Sequence, residues 1–228
     1  MMEAPFLGFR PAAFDWFKGL KADNTKAYFD ATRDVFEGEV KEPLSRLLDE
    51  LAADLGGTTK IFRQNRDVRF SKDKSPYKTN TYGVVSGLAD GSFGLYVSVS
   101  DDGVMAGTGA YDLAKDQLER MRRAIDEEHT GVELEEALEA ATSGGVELRG
   151  DALKTAPRGF PKDHPRIELL RLKQVLLMHP LPRGKAVDRA PFDHALETWR
   201  AAKPVVDWMS AHVGDSEIPP EARFGRGR

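Results

Sequence analysis

Two aspartate–glycine junctions constrain this chain most: Ala89-Asp90-Gly91 and Asp101-Asp102-Gly103. They separate three short runs rich in β-branched and aromatic residues, Thr81 to Leu88, Ser92 to Ser100 and Val104 to Gly109. Asp-Gly between such runs is the strongest short-range hairpin signal, because both residues tolerate the positive φ that a tight turn needs. Three strands in a meander are predicted, with Ile61 to Phe70 contributing another.

Helical patterns lie on both sides of that meander. Phe14, Phe17 and Leu20 recur at helical spacing after Pro11, and Asp23-Asn24-Thr25 supplies a stop followed by a capping signal. Tyr28, Phe29, Thr32, Val35 and Phe36 make a second apolar face. Leu44, Leu47, Leu48, Leu51 and Leu55 make a third, with Pro43 near its start and Gly56-Gly57 ending it. Beyond the strands, Leu113 to Ile125, Glu133 to Ala141 and Arg166 to Leu172 read as helices. Gly144-Gly145 reads as a turn, Val146 to Leu148 and Val175 to Pro180 as strands, and Ala156 to Pro165 as a loop broken by prolines. Phe192 to His212 is a long amphipathic helix. Strands gathered between helices give an α+β fold, not the strict alternation of a doubly wound sheet. The expected organisation is a single domain over residues 1–218 with a central, largely antiparallel sheet flanked by N-terminal and C-terminal helices. Residues 219–228 are a polar, frayed tail.

The composition, 40% hydrophobic and 31% charged over 228 residues, supplies a real core. The absence of cysteine removes disulfides, thiolate nucleophiles and cysteine metal sites. Acidic Glu3 stands where a signal peptide needs positive charge, and no window approaches the ~20 apolar residues of a membrane span. A cytoplasmic protein without a membrane partner is expected.

The formal net charge of −4 excludes a global polycation, yet Arg63 to Lys78 carries +4 locally. Arg63, Arg66, Arg69, Lys72, Lys74 and Lys78 supply the positive charge, with Asp67 and Asp73 among them. An arginine fork grips phosphate or carboxylate with two hydrogen bonds. Ser75-Pro76-Tyr77 imposes an extended or turn geometry, and Tyr77 adds a hydroxyl or a stacking face.

The pattern R-x-x-R-D-x-R-F-x-x-x-K-x-P-Y-K, met at Arg63, Arg66, Asp67, Arg69, Phe70, Lys74, Pro76, Tyr77 and Lys78, resembles the signature of the Domain of Unknown Function 2461 family. That family is uncharacterised and mostly bacterial. The resemblance extends to the aromatic N-terminal helices, to Leu153-Lys154 with Pro157-Arg158-Gly159-Phe160, and to His164-Pro165. It implies membership and conveys no activity.

Three functional readings follow. The first is binding of an anionic ligand, a phosphate- or carboxylate-bearing small molecule or a nucleic-acid backbone, through Arg63, Arg66, Arg69, Lys74 and Lys78. Arg158 joins them if the second basic loop, Leu153 to His164, folds against the first. The second is an enzyme acting on a phosphorylated or acyl substrate, with Asp67, Tyr77 or His164 moving protons. In the third the signature is an ion-paired staple that only holds the fold. The five histidines show no zinc spacing, and Asp101-Asp102 and Asp112-Asp116 fit turns and exposed helix faces better than a divalent cation. No phosphate loop and no nucleophile elbow is present, so no metal and no cofactor is expected.

Overall fold

The computed structural model describes residues 5–88 and 93–219. Among them the chain divides into two compact units, one of residues 5–88, 94–106 and 179–197, the other of residues 93, 107–178 and 198–219. The strands form one six-stranded sheet of order β1-β2-β3-β4-β6-β5. These are β1 (Thr58–Ile61), β2 (Asn80–Ser86), β3 (Leu95–Ser100), β4 (Gly103–Ala110), β5 (Glu147–Arg149) and β6 (Val175–Pro182). β1 pairs with β2, β2 with β3 and β5 with β6, all antiparallel. The α+β order expected from the sequence holds, and no described helix is long and apolar enough to cross a membrane.

The first unit begins with α1 (Pro11–Ala22), opened by a proline whose missing N–H costs nothing at that position. Thr25 caps α2 (Lys26–Ala31) by accepting the Tyr28 amide at 3.2 Å. The apolar face from Tyr28 to Phe36 does not run as one helix. Thr32 accepts from Trp16 Nε1 at 2.9 Å and donates back to the Tyr28 carbonyl at 2.8 Å, which interrupts the helix there. A short α3 (Arg33–Val35), a π-helical turn (Phe36–Lys41) and α4 (Glu42–Leu55) follow. On α4, Leu44, Leu47, Leu48 and Leu51 are fully buried, and α4 packs on β1, β2 and β3. Gly83 on β2 makes that approach possible, since a Cβ there would lie 2.4 Å from Leu48 Cδ1.

Residues on β2 alternate between the packed face (Thr81, Gly83, Val85) and a half-exposed face (Asn80, Tyr82, Val84). Gly103, at φ +137°, completes the turn into β4 after Asp101-Asp102, as the sequence predicts. The companion turn at Ala89-Asp90-Gly91 and the tail from residue 220 lie outside the described residues.

Strand character expected over Ile61 to Phe70 falls earlier, at β1, and residues 62–79 carry no strand beyond an isolated Asn65–Tyr77 bridge. Short-range side-chain bonds explain the shift. Asp67 accepts the Arg69 amide at 3.2 Å and Asp73 the Ser75 amide at 2.9 Å, so these donors are turned away from a ladder.

In the second unit, α5 (Lys115–Asp126), α6 (Glu128–Ser143) and α7 (Ile167–Leu170) surround a core of Met121, Ile125, Leu134, Leu170, Leu177, Trp208 and Met209. The last two residues belong to α8 (Ala190–His212), the long helix expected from Phe192. The Trp208 indole donates to the Thr130 carbonyl at 2.8 Å, which satisfies its one polar atom.

Candidate functional site

The basic segment folds in the first unit as a loop with a narrow neck. The Arg66 amide donates to the Pro76 carbonyl at 2.8 Å, and the Lys78 amide donates to the Gln64 carbonyl at 3.0 Å. Gln64 is 5% exposed and anchors the neck with its whole amide group. Its Nε2 donates to the Lys78 and Asn80 carbonyls, and its Oε1 accepts from Thr81 Oγ1 at 2.7 Å. From the other side, Asn24 reads the Tyr77 backbone twice, donating to its carbonyl and accepting its amide, both at 3.1 Å. The Tyr77 ring is 6% exposed and stacks on Phe29 with centroids 4.4 Å apart. These contacts are neutral and at least partly buried, so the neck depends little on salt.

Above the neck the charges are largely used within the loop. Arg66 pairs with Asp73 and donates to the Ser75 carbonyl at 3.2 Å. Asp73 also accepts from the Ser75 hydroxyl at 2.6 Å. The Ser75 hydroxyl and amide, then Arg66, hold the Asp73 carboxyl down at about 2. Arg69 pairs with Asp67 at 2.6 Å, and this guanidinium and the Arg69 amide bring Asp67 to about 2. Lys74 donates to the Val68 carbonyl at 2.9 Å. Arg63 and Lys72 are exposed and have no side-chain partner among the described residues, and the Phe70 ring is 97% exposed.

Beside the neck lies a cavity of about 440 Å³, lined by Lys21, Asn24, Arg66, Asp73, Ser75, Tyr77, Lys78, Thr79 and Asn80. Every residue in that wall carries a polar side chain. Two of its three cations are compensated: Arg66 by Asp73, and Lys21 by an ion pair with Asp101. The third is not. Lys78 is partly buried and forms no ion pair among the described residues. Its Nζ donates to the Arg63 carbonyl and lies 5.0 Å from the Tyr82 ring centroid. Burial, then the nearby Arg63 charge, pushes its pKa below the ordinary 10.5. Tyr82 continues a row of rings on the half-exposed face of the sheet, stacked on Phe62 at 4.8 Å and 5.4 Å from Tyr96. Asn80 ties that row to the cavity by donating to the Tyr96 hydroxyl at 3.2 Å.

Of the residues singled out from the sequence, Arg66, Tyr77 and Lys78 line this cavity. Arg63 contributes its carbonyl to Lys78, while Arg69, Lys74 and Asp67 sit on the loop outside the lining. Arg158 and His164 belong to the second unit. Arg158 is exposed there, without a partner among the described residues. His164 Nδ1 accepts the Arg166 amide at 3.0 Å, which leaves Nε2 to donate to Asp126 at 3.1 Å. No group of three metal-ligating side chains occurs among the described residues. Sequence reasoning read Asn24 as part of a helix cap and passed over Lys21, Thr79 and Asn80. Asn24 lies 53 residues from Tyr77, so no local pattern announces their pairing.

Among curated proteins none matches the chain. Residues 12–208, which include the whole of the loop, its neck and the cavity wall, match the family described as a conserved hypothetical protein (DUF2461), and the chain belongs to that family.

Proposed function

We propose that this is a cytoplasmic binding protein for a small anionic ligand bearing phosphate or carboxylate, held in the cavity beside the signature loop. The observation that carries the reading is Lys78, a partly buried cation in a polar cavity with no carboxylate paired to it. Lys78 is partly buried and lacks a carboxylate partner among the described residues, and an anion in the cavity supplies that counter-charge. Arg66, held in place by Asp73, lines the same space together with Ser75 and Thr79. A volume of about 440 Å³ suits a small molecule more than a polymer backbone.

A second reading is favoured by the pairs Arg66–Asp73 and Arg69–Asp67, in which the signature holds its own loop. The two readings divide the segment between them: the arginines shape the loop and Lys78 serves the ligand. Thermal denaturation at low salt with inorganic phosphate and with simple carboxylates tests this. The wild type is expected to gain melting temperature with at least one of them, and Lys78→Gln to gain none. No gain in the wild type, or an equal gain in the variant, removes the proposal.

A further inference from the structure

The tip of the signature loop is chemically distinct from the cavity beside its neck. Phe70 is 97% exposed there, so both faces of its ring are open to water. The neck beneath it is fixed by Gln64, by Asn24 and by the stacked Tyr77 ring. The loop's free charge is positive. Pairing Arg66 with Asp73 and Arg69 with Asp67 uses both carboxylates of the segment, so its +4 rests on Arg63, Lys72, Lys74 and Lys78. The first three are exposed and form no ion pair among the described residues. Arg69 lies 6.0 Å from the Phe70 ring centroid.

A single exposed ring is common on protein surfaces. One set among uncompensated cations, in a molecule of net charge −4, is the combination that suits a polyanion carrying flat bases. Stacking a base needs one open ring face, with cations nearby for the phosphates. A bilayer or an apolar protein groove asks instead for an apolar patch. Here Arg69 and Ser71 flank the ring, and Val68 is half-buried. We propose that single-stranded nucleic acid docks on the tip, with a base stacked on Phe70 and backbone phosphates held by Arg63 and Lys72. Arg69 adds its cation beside the stacked base. None of these four side chains lines the cavity, so the surface is separate from the small-anion site.

Fluorescence anisotropy at low salt, with a labelled oligothymidylate of about 12 nucleotides, tests this. The wild type is expected to bind. Phe70→Ala, a change at an exposed side chain, should weaken binding about 5–150-fold and leave the circular dichroism unaltered. Phe70→Trp should keep the affinity and Phe70→Leu should lose it, because a stack needs a flat ring. Replacing both Arg63→Gln and Lys72→Gln should reduce the slope of log affinity against log salt by about 1.4, two phosphates at about 0.7 each. No binding by the wild type, or equal binding by Phe70→Ala or Phe70→Leu, overturns the proposal. Binding to phosphatidylserine vesicles in place of the oligonucleotide, lost in Phe70→Ala, assigns the tip to a membrane surface and overturns it too.

Discussion

Two cations, Arg166 in the second unit and Lys78 in the first, show the same charge put to opposite uses. In the second unit Arg166 has a side chain only 5% exposed, and it bonds Glu135 at 2.9 Å and Glu128 at 3.0 Å. Those carboxylates hold its charge on, which raises its pKa, with Glu135 the larger cause. In the first unit Lys78 is partly buried, yet meets no carboxylate among the described residues, and its pKa falls. Density of positive charge in the sequence does not separate a staple from a site. Whether each cation is compensated in three dimensions does.

The comparison breaks first at Arg166. Replacing it by alanine takes two charge-assisted bonds and the packing against Gly131 from the second unit, and about 2–3 kcal/mol of stability should go with them in urea unfolding. Glu128 and Glu135 stay hydrated in the variant, which keeps the loss below that of an orphaned buried charge. Gln64→Ala should cost about 2 kcal/mol by the same measurement, because it strips partners from Thr81 and from two carbonyls at the neck.

A smaller effect is expected from acid. Asp73 titrates at about 2 in the fold against an ordinary 3.8, so its contribution is complete above 3.8 and fades as pH falls toward 2. Hydrogen-exchange protection of the Ser75 amide should decline across that window. Asp73→Ala, which has no acceptor, should show low protection on both sides of it. Least of all is expected from Arg69→Ala: with its side chain 77% exposed, the Asp67 pair is screened by water, and the melting temperature should not move.

Much of this architecture is legible in local pattern. The Asp101-Asp102-Gly103 turn, the leucine stripe of α4 and the helix from Phe192 all follow from spacing within a few residues, where φ/ψ preference and burial agree. The basic segment was equally visible as a concentration of charge. Its internal division was not, because compensation depends on partners far along the chain. Asp101 neutralises Lys21, and Asn24 with Phe29 seats Tyr77, all through contacts that no periodicity encodes. The misplaced strand has a different origin. Ile61 to Phe70 reads as a strand in sequence, but past Ile61, Asp67 and Asp73 capture amides that a ladder would use.

The central claim is that Lys78 is the uncompensated cation of the cavity, and the titration of its Nζ by nuclear magnetic resonance tests that most directly. The account predicts a pKa below 10.5 in the unliganded protein and a rise when inorganic phosphate is added, since an anion favours the charged form. A pKa at or above 10.5, unmoved by phosphate, would contradict it.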